Sequence, residues 1–148
     1  MKRCVILSVV AALILSFAGA ALAAGTPDDA KAMVEKSLAF YKANGKDKTF
    51  AEVNNPKGQF VKEDIYVFIF DMAGVCVAHG ANPKLIGKNM MDSKDADGKE
   101  FVKEFYKVPA AGGWVGYKWT NPETKKIQDK VSWIVIHDNL LFGSGAYK

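Results

Sequence analysis

Ile65-Tyr66-Val67-Phe68-Ile69-Phe70 is an unbroken apolar run of strand length. Side chains alternate between the faces of a strand, so this run is apolar on both and reads as a strand covered on both sides. Asp71-Met72-Ala73-Gly74 follows as a turn, and Val75 to His79 folds back to make a hairpin. Further on, strands are expected at Trp114–Trp119, Lys126–Ile136 and Leu140–Tyr147, with Asp138-Asn139 as the tight turn between the last two. A helix from Gly98 to Lys107 presents Phe101, Val102 and Phe105 and stops before Pro109.

Upstream, Thr26-Pro27-Asp28-Asp29 supplies a capping hydroxyl, a proline for the first helical position and acids for the positive helix end. Ala30, Met33, Val34, Leu38 and Tyr41 then recur at helical spacing, and Asn44-Gly45 ends the helix. A short second helix is expected from Thr49, carrying Phe50 and Val53, before the Asn55-Pro56-Lys57-Gly58 turn. The order is helix, helix, two strands, helix, three strands. An α+β fold follows, an antiparallel sheet with the helices packed on one face.

Lys2 and Arg3 precede an apolar run from Cys4 to Leu22, closed by small residues at Ala21-Leu22-Ala23. This reads as a signal peptide spanning residues 1–23, cleaved after Ala23, which places residues 24–148 in the periplasm as one domain. A retained anchor is the alternative, because the run just reaches spanning length. After cleavage no stable membrane insertion is expected. The chain stops right after its last strand, as expected of a free-standing secreted domain.

Without Lys2 and Arg3, 18 of the 20 basic residues remain against 16 acidic ones, and the lysines are dispersed. Nucleic-acid binding therefore has little support. Of the two cysteines only Cys76 survives cleavage, so no intramolecular disulfide can form. Arg3 is the only arginine. A mature protein without a guanidinium fork must hold an anion with lysine, histidine, hydroxyls or backbone N–H groups.

His79 ends its strand beside Gly80, where an imidazole can donate to a ligand carboxylate or brace a loop carbonyl. In Gly112-Gly113-Trp114-Val115-Gly116-Tyr117-Lys118-Trp119, a phenol and an indole N–H can donate bonds while their rings wall a pocket. Strand parity sets Trp114 opposite Tyr117 unless Gly116 forms a bulge, so both line a pocket only on an irregular strand. Lys130 is either the countercharge for an anionic ligand or a surface lysine near Asp129. Tyr66 and Ser132 are further candidates, with structural roles as the alternative. Cys76 and His79, three apart, fall on opposite faces of a regular strand, which argues against a nucleophile pair; Cys76 reads as a buried thiol. Ser93 to Glu104 is close to a calcium loop, but Ser93 replaces the first aspartate and Glu100 stands where an apolar residue belongs. Asp97 with Glu100 also makes a capping box. No cofactor motif and no metal-ligand spacing of quality is present, and no enzymatic activity is assigned.

Taken in order, the stretches Ala78-His79-Gly80, Leu85-Ile86-Gly87-Lys88-Asn89, Gly112 to Tyr117 and Gly143-Ser144-Gly145-Ala146-Tyr147 resemble the type-2 single Cache domain, an extracytoplasmic small-molecule sensor. The resemblance covers essentially the whole mature chain. It implies a PAS-like five-stranded antiparallel sheet with a long N-terminal helix behind it. It implies that Lys130, preceding the strand beside the pocket, is the countercharge, with His79 and Tyr117 fixing a short organic acid. The loop around Gly87 would close over that ligand, its backbone N–H groups near an anion. Binding would be passed to a separate membrane receptor or kinase. Two other readings stay open: a ligand-free structural or partner-binding module, and an unrecognised enzyme using His79 and Cys76.

Overall fold

The computed structural model describes residues 24–148, so the signal-peptide reading of residues 1–23 lies outside the described residues. Helix α1 spans Pro27–Asn44. Thr26 Oγ1 accepts from the Asp29 amide at 3.1 Å while the Thr26 amide donates back to Asp29 at 2.9 Å, a capping box that satisfies two orphan donors. Gly45 at φ 79° ends it, and α2, Lys46–Val53, begins at once rather than at Thr49.

Six strands follow: β1 Val61–Lys62, β2 Ile65–Asp71, β3 Cys76–His79, β4 Gly113–Thr120, β5 Ile127–His137 and β6 Leu140–Tyr147. Helix α3, Phe101–Phe105, lies between β3 and β4. All pairings are antiparallel, in the order β1-β2-β6-β5-β4, with β3 also paired to β2. The expected five strands become six because Val61–Lys62 adds a two-residue strand beside the start of β2. Asp138 and Asn139 both take positive φ, 52° and 56°, the conformation of a two-residue hairpin turn.

Central β2 is buried on both faces, as its unbroken apolar run requires. Val67 and Ile69 pack with Val34 of α1, Val53 of α2 and Phe142 on one side. Phe68 and Phe70 pack with Phe101, Val102 and Phe105 of α3 on the other. The helices therefore divide between the two faces, against the expectation that all lie on one. The cause is apolar substance on both sides of β2 and β6, which two helices on one face cannot cover.

Strand β3 is irregular. Phe70 pairs with Cys76 but Ile69 pairs with Ala78, so Val77 is an extra residue. The bulge reverses the expected alternation: Cys76 faces the α3 side with Phe70, and His79, opposite Phe68, faces it too. The opposite-face argument against a Cys76–His79 pair therefore fails. The expected Asp97–Glu100 capping box is also absent. Helix α3 starts only at Phe101, with Glu100 as its N-cap and no side-chain cap bond.

Candidate functional site

Period-two alternation aims Tyr66, Phe68 and Phe70 of β2 at the α3 side, together with Tyr117 and Trp119 of β4. These rings, His79 and the side chains Leu85, Met90, Phe101 and Phe105 line a cleft. Phe101 lies flat on Tyr117, centroids 4.7 Å apart and 5° between planes, so the cleft keeps only about 10 Å³, the room of one water. A wider groove of about 260 Å³ adjoins it between Ala81-Asn82 and Thr120–Lys125, sharing Tyr66, His79 and Trp119.

His79 Nδ1 accepts from the amides of Ala81 at 3.2 Å and Asn82 at 2.9 Å, which leaves the proton on Nε2. Burial, and secondarily the charge of Lys130, hold the imidazole neutral by pushing its pKa down to about 3. The ring is thus a fixed N–H donor against the Tyr66 face, centroids 4.9 Å apart.

Lys130 and Ser132 lie one layer below the cleft. Lys130 is 2 % exposed, and its ammonium sits 3.9 Å from the Tyr66 ring centroid and 4.7 Å from that of Tyr147. Its hydrogen bond goes to Tyr147 Oη at 3.3 Å. Burial drives its pKa well below the ordinary lysine value, and the charge of Asp64 offsets part of that. Asp129, the neighbour expected of a surface lysine, pairs instead with Lys118 at 3.0 Å. Ser132 Oγ bonds Tyr117 Oη at 3.0 Å, and burial raises the Tyr117 and Tyr66 phenols well above their usual range.

Five of the six candidates therefore converge: His79, Tyr66 and Tyr117 on the cleft wall, Lys130 and Ser132 beneath it. Trp114 does not join them. Strand β4 runs in regular register with no bulge at Gly116, so parity holds and Trp114 points to the opposite face. There it is 41 % exposed and rests 5.1 Å from Trp133. Gly87 is also no anion cradle, because its N–H is spent on Cys76 O at 2.7 Å. Leu85 is that loop's contribution to the cleft.

Tyr147 was not singled out from the sequence, yet it is the hub. Its hydroxyl meets Lys130 Nζ, Tyr66 Oη at 3.0 Å and Thr120 O at 2.9 Å. The signal was available: the two-residue turn at Asp138-Asn139 sets the β5–β6 register, which places Lys130 directly opposite Tyr147.

Cys76 is buried and donates to Ala78 O at 3.6 Å, and burial pushes its thiol up to about 12. A thiol so hard to ionise is a poor nucleophile whatever face it shares. Asp95, the central acid of the calcium-like loop, accepts from the amides of Asp97 and Lys99 on one oxygen and of Lys118 on the other. Among the described residues no three His, Cys, Asp or Glu side chains are grouped to hold a metal ion. No described helix is long and apolar enough to cross a membrane.

Comparison with known proteins matches the Cache domain family over residues 28–147. Three solved structures share the fold at 22–23 % identity, each covering 81 % of this chain. They are a methyl-accepting chemotaxis protein from Vibrio parahaemolyticus (TM-score 0.66, 86 % of that chain), the periplasmic sensor domain of a chemotaxis protein (0.61, 88 %), and a Cache chemosensory domain described for carboxylic acid recognition (0.61, 86 %). The sensor histidine kinase MctS of Rhizobium johnstonii is 34 % identical over 88 residues, 57 % of this chain. The chain spans only 19 % of that kinase's length. By the family match over nearly all the described residues, the chain belongs to the Cache domain family.

Proposed function

We propose that the domain works in the periplasm, binds a short organic acid in the Tyr66–His79–Tyr117 cleft, and passes the signal to a separate membrane receptor or kinase. The observation that carries this reading is Lys130: a buried amine, held by aromatic faces and one hydroxyl, with no carboxylate side chain bonded to it among the described residues. Desolvating a cation costs several kcal/mol unless an anion compensates, and a ligand carboxylate is that anion. Tyr117 and the His79 Nε2–H supply directional donors, while the Tyr66 ring, Phe68, Phe105 and Leu85 take the apolar remainder. With Lys130 the only buried lysine among the described residues and His79 neutral, a second carboxylate would find no countercharge in the cleft.

Admitting even a small acid requires more than the present 10 Å³, so the Phe101–Tyr117 stack or the Tyr66 ring must move on binding. The carboxylic acid recognition described for one structural relative supports the ligand class, and the kinase and chemotaxis relatives support a signalling partner.

Thermal unfolding against a panel of short mono- and dicarboxylates tests this. Ligand at 100 times its dissociation constant adds about 2.7 kcal/mol. Lys130→Met is expected to raise the unfolding temperature by several degrees, since it removes a buried charge, and to abolish the acid-induced shift. The small cleft favours one other reading, a partner-binding module with a filled core. A flat response of the wild type to every acid would select it.

A further inference from the structure

Lys130 is joined to the start of α1 by a chain of polar groups, buried at Lys130, Tyr147, Asn121 and Asp64 and part-buried at the Thr120 and Gly25 ends of their bonds. Its ammonium donates to Tyr147 Oη, and that hydroxyl donates to Thr120 O at 2.9 Å. The next residue, Asn121, is 4 % exposed and bonded through both its side-chain oxygen and its side-chain nitrogen. Its Oδ1 accepts from the amides of Glu123 and Thr124, fixing the β4–β5 turn, and its Nδ2 donates to Asp64 Oδ2 at 3.3 Å. Asp64, 3 % exposed, accepts with its other oxygen from the Gly25 amide at 2.9 Å. Gly25 directly precedes Thr26, the N-cap of α1. It is pressed against β2: a Cβ there would stand 2.1 Å from Ile65 Cγ1.

The buried links, Lys130, Tyr147, Asn121 and Asp64, have little freedom to adjust. A buried polar group that loses its partner is left with its full desolvation penalty, so a shift at one link is felt at the next. We propose that Tyr147, the Thr120-Asn121 backbone, the Asn121 side chain and Asp64 form a relay that couples the cation beneath the cleft to the clamp holding Gly25 at the start of α1. It rests on the reading of the cleft as the ligand site and supplies its output. An acid that draws Lys130 or Tyr66 toward itself changes the load on Tyr147 Oη. The β4–β5 turn then shifts against Asp64, and α1 gains or loses its tether. A relay of this kind needs measured coupling, beyond spatial continuity.

Hydrogen exchange of the Gly25 amide, followed by NMR in the purified protein, provides that measurement without any acid. Tyr147→Phe and Asn121→Ala are each expected to speed exchange at Gly25 by about tenfold while core amides of β2 and β6 keep their protection. Their double variant should fall short of the product of the two effects. Tyr41→Phe, which removes the bond to Asp138 near the other end of α1, should leave Gly25 unchanged. Should Tyr147→Phe fail to fold, Lys130→Met gives the same readout by removing the Nζ–Tyr147 bond together with the charge, while keeping the Tyr147 hydroxyl on Thr120 O. An unchanged Gly25 in both, with faster exchange in Asp64→Asn, would overturn the relay and leave a purely local clamp. Because these arms contain no acid, their failure is separate from a failure of the thermal-shift panel.

Discussion

Lys130 can lie across β6 because position 145 has no side chain. A Cβ there would stand 2.7 Å from Lys130 Cε and 2.2 Å from Ser132 Oγ, and one at Gly143 would meet the Phe68 ring at 2.3 Å. The two strand glycines thus trade backbone stiffness for close approach of a cation and a ring. The charge state of His79 is the other feature set at single-residue scale. Its folded pKa of about 3 lies below the 6.5 of an unperturbed histidine. The stability it contributes is therefore complete above pH 6.5, where neither state binds the proton. Below that, the unfolded chain takes up a proton the folded ring refuses, and stability falls by up to about 1.4 kcal/mol per pH unit until about pH 3. His79→Asn keeps an acceptor for the Ala81 and Asn82 amides without the titration. Urea unfolding at pH 7, 5.5 and 4 should show the wild type losing its advantage over the variant as pH falls. A difference constant with pH would mean that His79 is not held neutral.

Strand β4 lies at the edge of the sheet, and the segment read as a calcium-like loop has a mechanical task there. Lys99 Nζ donates to Gly116 O at 2.6 Å, and Asp95 accepts from the Lys118 amide at 2.9 Å. Together they block the middle of an edge that would otherwise be open to strand addition. Asp95→Ala removes three backbone–carboxylate bonds at once. It is expected to lower stability by about 1–2 kcal/mol and to speed exchange at the Lys118 amide. Unchanged exchange at Lys118 would show that the loop does not hold the edge. The same loop explains why α3 is shorter than its apolar pattern suggested. Asp95 folds Asp97 and Lys99 into a turn, so the chain turns helical only at Phe101. Strand β3 taught the opposite lesson: its alternating-looking sequence carried no sign of the bulge that puts Cys76 and His79 on one face.

In the whole molecule the sheet separates two cores, with α1 and α2 over one face and α3 with the cleft over the other. The first and last described residues come together, Ala24 and Lys148 bordering the same small groove beside Asp64 and Asn121. The proposed relay runs through that corner. Export belongs to the same scale. The protein recovered from the periplasm is expected to begin at Ala24 by mass spectrometry; a product retaining residues 1–23 would indicate the anchored alternative.

Sequence alone determined what depends on local chemistry. The caps of α1 follow from Thr26 and Pro27, the double burial of β2 from its unbroken apolar run, and the β5–β6 turn from Asp138-Asn139. Parity set Trp114 opposite Tyr117 but left a bulge at Gly116 open, and only the regular β4–β5 pairing removed Trp114 from the candidate site. The sequence also picked out five residues that the fold brings to one place, because strand periodicity and residue chemistry are both written along the chain. Only the tertiary structure decided which face holds the cleft, since an apolar run covered on both sides says nothing about which helix covers which. Packing and long-range pairing also decided the bulge in β3, the loss of the Gly87 amide to Cys76, and the placing of Lys130 beneath the cleft. Each depends on a partner far away in sequence, and the energy of such a contact exists only once the sheet has formed.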